Sequence, residues 1–430
     1  MAKDEYEVSL ARLFDGNLSR RQFLRGSGLA LGTMGLAACG VGSSPPSGGG
    51  GGDVAVGSLL DGTGGLNIYG TVMIDATNFA IDDINAKGGV LGRKLKLSAF
   101  DTQSTNDKYV QYADQLMLET KAAVIMGGIT SGSREAIRPS IDRNKQLYFY
   151  NEQYEGGVCD KYVFCTGVVP SQQLSTLVKW ATDNVGKTVY TLAADYNYGH
   201  ISSDWVKFYL NKNGGTLLGV DFIPLDVADF GATLTKLQQK KPAAVMSLLV
   251  GGAHISFYRQ FAAAGLQSKM KIVSPTFGLG NEQVVLAANE SAGITVAYPY
   301  FQELSNSTNK KWVDDWHSRF GAGYPYVTDS ANAVWTGWHL WAAAVNKAGS
   351  LDRDKVTTAL ESGLSFDAPE GTVHLDGKSH HLTHNVNIAQ TNSNHGFNII
   401  QTFNAISPDP QGQCDLIAKP DQHTQFTPSL

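Results

Sequence analysis

The chain has 430 residues, a formal net charge of −5 and 17% charged residues, a balance that offers no basic surface to nucleic acid. After residue 40 no apolar run approaches the roughly 20 residues that a membrane-spanning helix needs, which excludes a permease.

Ser19-Arg20-Arg21-Gln22-Phe23-Leu24-Arg25 is a twin-arginine pattern, followed by a short apolar run from Leu29 to Ala38. That run is too short to span a bilayer and reads as an export signal. It ends in Leu36-Ala37-Ala38-Cys39, which resembles the lipobox of bacterial lipoproteins. Residues 1–39 are therefore expected to be a signal, with Cys39 as the lipid-bearing residue and a fold that closes before translocation. Residues 40–53 contain Gly48–Gly52 and cannot bury apolar surface; they are expected to be a flexible tether. The remaining body, about 380 residues, is too long for one compact core and suits two domains.

Strands and helices then alternate as in doubly wound parallel sheets. Val54–Leu60 reads as a buried strand, and a helix follows from about Tyr69 to Lys87, stopped by Gly88-Gly89. Strand Lys94–Phe100, helix Lys108–Thr120, strand Ala122–Met126, helix Ser133–Asn144 and strand Gln146–Tyr150 continue the series. The alternation restarts after Pro170 with helix Gln172–Asn184, strand Thr188–Ala193 and helix Ser202–Asn213. Strands near Leu217–Phe222, Ala243–Leu248 and Lys271–Ser274 follow. Helices are expected at Asn309–Phe320 and Ser330–Ala348, and Val373–Leu375 is expected to pair with Val386–Ile388. The expected architecture is two doubly wound parallel-sheet lobes joined by a hinge with several crossovers. Residues 54–171 and about 304–372 form lobe one; about 172–303 and 373–430 form lobe two.

Open parallel sheets bind ligands beyond the carboxyl ends of their strands. That rule selects Asp61–Gly65, Gly127–Ser133, Tyr150–Tyr154, Ala194–Gly199 and Pro275–Gly278. These segments are rich in hydroxyls and aromatic rings and poor in lysine and arginine, which suits a small neutral polar ligand. A serine at a helix start is commonly an N-cap and a tyrosine at a strand end commonly packs, so the recurrence in both halves carries the reading.

Chemistry is less well represented. Gly127–Ser133 lacks the Gly-Lys-Ser/Thr end of a phosphate loop, and the body has no Gly-x-Ser-x-Gly elbow. His374, His380, His381 and His384 surround a hairpin without a carboxylate pattern, so neither metal nor cofactor is expected. Cys39 aside, three cysteines remain; Cys159–Cys165 is the expected pair, with a bond from one of them to Cys414 as the alternative.

Gly88-Gly89-Val90-Leu91-Gly92-Arg93, Gly127–Arg134, Tyr154-Glu155-Gly156, Asp195-Tyr196-Asn197-Tyr198, Val250–His254 and Asp367–Gly371 resemble stretches of type I periplasmic binding proteins. The nearest branch is the ABC-transporter receptors for urea and short-chain amides, with the related amide-sensing regulators. The resemblance implies a non-enzymatic receptor that closes around its ligand and delivers it to a membrane permease. It implies Ser131, Ser133, Tyr154, Tyr196, Tyr198 and Thr276 as ligand contacts; Gln153 and Tyr150, from the same strand-end segment, complete the candidate set. Where amide sensors carry a tyrosine two residues before the serine, this chain has Ile129. A receptor for a zwitterionic amino acid would instead need a carboxylate for the ammonium group, from Glu152, Asp195 or Glu282. A cytoplasmic regulator and an amidase are the rivals from other classes.

Overall fold

The computed structural model describes residues 52–428. The expected signal, Cys39 and nearly all of the tether lie outside the described residues.

The strands are β1 Val54–Leu60, β2 Leu95–Asp101, β3 Ile125–Gly127, β4 Tyr148–Tyr150, β5 Val158–Asp160, β6 Val163–Cys165, β7 Thr188–Ala194, β8 Thr216–Ile223, β9 Ala244–Leu248, β10 Lys271–Ser274, β11 Thr295–Tyr298, β12 Ser365–Ala368, β13 Gly371–Asp376, β14 His381–Thr391, β15 Phe397–Ile406 and β16 His423–Gln425. The longer helices are α1 Asn67–Ala86, α2 Asn106–Gln115, α3 Ser131–Arg143, α4 Gln173–Asn184, α5 Asn197–Lys212, α6 Gly231–Lys240, α7 Gly252–Ala263, α8 Ser307–Phe320, α9 Asp329–Ala348 and α10 Arg353–Glu361.

The strands run in the order β2-β1-β3-β4-β6-β14-β11-β10-β9-β7-β8. On either side of β14 the same topology appears, β2-β1-β3-β4 in the first half and β8-β7-β9-β10 in the second, with parallel pairing throughout each. Each half therefore has its own switch point, at β1/β3 and at β7/β9, and both direct ligands to the carboxyl ends of their strands. The central strands β3, β4 and β9 are buried along their whole length, as expected of parallel strands covered by helices on both faces.

Helix α1 buries Tyr69, Val72, Met73, Ala76, Ala80 and Ile84 on one stripe and packs against α9, in which Trp335, Trp338 and Trp341 are buried. Two helices that start earlier in the chain than expected bear on the strand-end loops. Helix α3 begins at Ser131 with Thr130 as its N-cap, and α5 begins at Asn197, directly after β7. The tight turn into α5 depends on Gly199, where a Cβ would stand 1.9 Å from the Ala194 carbonyl oxygen. The expected helix over Lys108–Thr120 is α2 followed by a π turn at Leu116–Thr120.

The C-terminal third departs further. Strand β13 does pair with β14, but through His374↔Thr383 and Leu375↔Leu382; Val386–Ile388 lies farther along β14, against β11 and β15. The expected division at 372/373 falls inside β13, which belongs with the first half, and β14 itself passes from β6 to β11. After β15 the chain returns to the first half, where β16 pairs antiparallel with β5. Those last residues, expected in the second lobe, are thus held on the first.

That return overturns the expected cysteine pair. Cys159 on β5 is bonded to Cys414, 255 residues away, with Cα atoms 5.6 Å apart, and Cys165 is free and buried. The short spacing between Cys159 and Cys165 suggested a small loop, but β6 carries Cys165 into the sheet beside β4, whereas Cys159 faces the returning tail.

Candidate functional site

The carboxyl ends of both halves meet around a cavity of ≈ 30 Å³ lined by Tyr69, Ile129, Glu152, Gln153, Tyr196, Tyr198, Val250, Thr276 and Leu279. The first half supplies residues from α1 and from the loops after β3 and β4. The second supplies them from the loops after β7, β9 and β10, and from the first turn of α5. The halves also touch directly: the Gly251 N–H donates to the Tyr69 hydroxyl at 3.0 Å, and the Trp205 indole N–H donates to the Glu155 carbonyl at 3.1 Å.

The loop after β3 is rigid for identifiable reasons. Gly127 and Gly128 adopt φ of +114° and +98°, a region costly for residues with a Cβ. A Cβ on Gly127 would lie 2.3 Å from the Leu59 carbonyl oxygen. Tyr148 and Tyr150 donate to the carbonyls of Gly127 and Ile129 at 2.8 and 2.7 Å, and Asn151 accepts from the Gly127 N–H at 3.1 Å. Helix α3 then opens, leaving its first N–H groups without intrahelical acceptors.

Of the expected contacts, Gln153, Tyr196, Tyr198 and Thr276 line the cavity. Ser131 is buried two residues beyond the lining Ile129, and its hydroxyl has no protein partner. The Tyr198 hydroxyl is likewise buried and unpartnered. Ser133 is not brought in: its N–H donates to the Thr130 hydroxyl at 3.0 Å and its own hydroxyl to the Thr130 carbonyl at 2.8 Å, so it is consumed by the cap. Tyr150 is spent on Ile129. Tyr154 is engaged by His381 and accepts from the Val158 N–H, while its ring lies under the Arg134 guanidinium at 4.3 Å. It packs behind the cleft rather than in it.

Tyr69, Val250 and Leu279 were not anticipated as lining residues. Tyr69 was legible as the first aromatic of a helix that follows a strand end; Val250 follows directly from the end of β9. Asp195, a candidate partner for a ligand ammonium, faces His200 at 2.9 Å on the surface instead. The histidines near the hairpin do not converge. His384 pairs with Glu370 at 2.8 Å, His380 with Glu361 at 3.2 Å, and His374 with Ser365 at 2.7 Å, so carboxylates accompany two of them, each as a separate pair.

Gln153 is held by its oxygen, which accepts from Gln173 Nε2 at 2.8 Å; the same nitrogen reaches the carbonyls of Pro275 and Ala297. Gln173 thus ties a lining residue of the first half to strand ends of the second. Glu152 accepts from Ser330 Oγ at 2.7 Å and from the Gln153 N–H at 2.9 Å. Burial pushes its carboxyl up from 4.5 to about 7, against the pull of those two hydrogen bonds. Because the folded value lies above the unfolded one, the folded protein keeps a proton that the unfolded chain has released between these values. The group's contribution is therefore fully present below the unfolded pKa and is lost as pH rises through the folded one. Glu152→Gln should leave stability unchanged near about pH 4 and raise it near about pH 8 relative to the parent. Urea unfolding across that range checks this; an undiminished fall in stability in the variant would assign the slope to other groups.

The periplasmic binding protein profile matches residues 53–396. The chain belongs to the periplasmic binding protein family. Among similar members of the family is the Leu/Ile/Val-binding protein BraC3 of Rhizobium johnstonii, 25% identical over 75% of this chain and 87% of that protein. The leucine-, isoleucine-, valine-, threonine- and alanine-binding protein of Pseudomonas aeruginosa is 24% identical over 74% and 84%. In structure, this periplasmic binding protein is similar to an ABC-transporter solute-binding protein from Rhodopseudomonas palustris in complex with 3,4-dihydroxybenzoic acid. That match has a TM-score of 0.74 and 24% identity and covers 83% of this chain and 99% of the other. An amino acid ABC-transporter substrate-binding protein from Pseudomonas fluorescens gives a TM-score of 0.75 at 17% identity, over 85% and 99%. These likenesses show a type I periplasmic binding protein fold.

Proposed function

We propose that this protein is the solute receptor of an ABC importer, that it captures urea or a short-chain amide by closure of two lobes, and that it delivers the ligand to a membrane permease. Export by the twin-arginine signal and anchoring through a lipid on Cys39 belong to the same reading. The observation that carries the ligand class is the cavity itself. It is about 30 Å³ in volume, only two or three times what a single water needs, and its wall includes a buried Tyr198 hydroxyl without a protein partner. A buried, unsatisfied hydroxyl costs about 1–3 kcal/mol, and a compact polar ligand would relieve that cost. Ser131, Gln153, Tyr196, Tyr198 and Thr276 are the residues proposed to hold it.

Urea has four heavy atoms, and the best tiny ligands gain about −1.5 kcal/mol per atom. The ceiling is about −6 kcal/mol, a Kd on the order of tens of micromolar, so nearly every polar group of the ligand must be paired. A second reading, a receptor for a branched-chain or other amino acid, is favoured by the buried Glu152 carboxyl on the wall and by the names of the relatives. Thermal-shift titration with urea, acetamide and leucine separates the two. Stabilisation by urea or acetamide at sub-millimolar concentration is expected; a response to leucine alone would replace the first reading with the second.

A further inference from the structure

Behind the cavity wall of the second half, Thr276 leads into a buried relay. Its Oγ1 lies 3.2 Å from His254 Nε2, and His254 Nδ1 lies 3.4 Å from Glu282 Oε1. His254 and Glu282 are both fully buried, and their 3.4 Å approach lacks hydrogen-bond geometry, so Nδ1 and Oε1 face each other with neither holding a hydrogen-bond partner. The other Glu282 oxygen accepts from the N–H groups of Gly278 and Gly280, at 2.7 and 3.2 Å, which pins the carboxylate to the loop that carries Thr276 and Leu279.

The direction of the Thr276 proton follows from the competition for it. Ser274 Oγ lies as near to Thr276 Oγ1 as the imidazole does, at 3.2 Å, but it donates to the Ser247 carbonyl at 2.7 Å and already accepts from the N–H groups of Thr276 and Phe277. The Ser247 carbonyl lies 3.4 Å from Thr276 Oγ1, a poor distance for a hydroxyl donor. His254 Nε2 is the better acceptor, provided that it carries no proton. A carboxylate facing Nδ1 favours the tautomer with the proton on Nδ1, and hence a bare Nε2.

We propose that Glu282, acting through His254, turns the Thr276 hydroxyl proton away from the cleft, so that this part of the wall accepts hydrogen bonds and the ligand group seated there carries N–H. This rests on the small-amide reading above and sharpens it. Glu282 and His254 are positioning residues, and together they select an NH₂ group over a carboxylate oxygen of the same shape.

Acetamide and acetate test this, since they are nearly isosteric and differ in that one group. Glu282→Gln preserves the acceptor for Gly278 and Gly280 and places an NH₂ toward His254 Nδ1. The tautomer should then reverse, Nε2–H should donate to Thr276, and the Thr276 proton should face the cleft. In ¹⁵N-histidine-labelled protein, with His254 assigned by loss of its signals in His254→Gln, the parent is expected to show Nδ1–H and the variant Nε2–H. By calorimetry, the preference of the parent for acetamide over acetate should shrink by about tenfold or more in the variant. An Nε2–H tautomer or an imidazolium in the parent overturns the proposal. So does a reversed tautomer with an unchanged acetamide-to-acetate ratio. If the parent binds neither acetamide nor urea, the small-amide reading fails, whereas the tautomer still decides where the Thr276 proton points.

Discussion

Arg134→Met should lower the stability of the folded protein by about 3–5 kcal/mol, the cost of stranding one member of a buried ion pair. Arg134 and Glu155 are both fully buried, and Arg134 Nη2 meets Glu155 Oε1 at 3.1 Å. The guanidinium also lies 4.9 Å from the Tyr150 ring and 4.3 Å from the Tyr154 ring. Methionine restores most of the volume but none of the charge, leaving the Glu155 carboxylate with the Gln425 amide at 2.8 Å as its remaining donor. A double variant, Arg134→Met with Glu155→Gln, should recover most of the loss, because a neutral carboxamide no longer needs a buried counter-charge. Urea denaturation of the parent, the two single variants and the double variant closes the cycle. If the double variant is as unstable as Arg134→Met, the lost packing over the tyrosine rings outweighs the stranded charge.

The same pair reaches the candidate site. Arg134 lies in the first turn of α3, after Ser131, and the Glu155 carbonyl receives the Trp205 indole N–H from the second half. Weakening the pair should therefore loosen the contact between the halves as well as the core of the first.

This cluster also shows where the sequence was readable and where it was not. The repeated βα units and the strand-end rule led to the segments that hold Gln153, Tyr196, Tyr198 and Thr276, because a parallel sheet places those loops at one edge whatever their side chains do; the family resemblance singled out the tyrosines and the threonine within them. Tyr154 and Ser133 stood in equally suitable segments. What removes Tyr154 is long-range, since His381, far along the chain, takes its hydroxyl; what removes Ser133 is a helix start two residues earlier than expected, with Thr130 as the cap. Strands β5, β6 and β16 escaped notice because, unlike the equally short β3 and β4, they do not alternate with helices in the βα series that guided the reading. The returning tail is a tertiary event, and with it the true partner of Cys159 was hidden.

Removing the disulfide with Cys159→Ser and Cys414→Ser should cost about 2–5 kcal/mol, near the upper end of the usual range because so long a loop is closed. The cross-link joins positions 255 residues apart. The tail would still keep its noncovalent anchors: β16 against β5, the Phe426 N–H on the Gly157 carbonyl at 2.8 Å, Gln425 on Glu155 and Gly156, and His423 near Asp142 and Asp160 at 3.4 Å. The stretch between Ile406 and His423 has fewer ties, among them Ser171 Oγ on the Pro408 carbonyl and the Leu416 N–H on the Lys378 carbonyl. It also borders a cavity of ≈ 50 Å³ lined by Gly156, Pro170, Trp205, His381, Pro408 and Cys414, among others. Loss of the cross-link should accordingly appear first as faster hydrogen exchange across this stretch, with the amides of β4 and β9 still protected. Reduction of the parent should reproduce the variant. Cys165 provides the control: burial pushes its thiol up to about 12, so an alkylating reagent should reach Cys414 through the loosened stretch of the reduced native protein and Cys165 only on unfolding. Rapid labelling of Cys165 in the native state, or a tail whose exchange is unchanged without the disulfide, would mean that the noncovalent contacts alone hold this end of the chain.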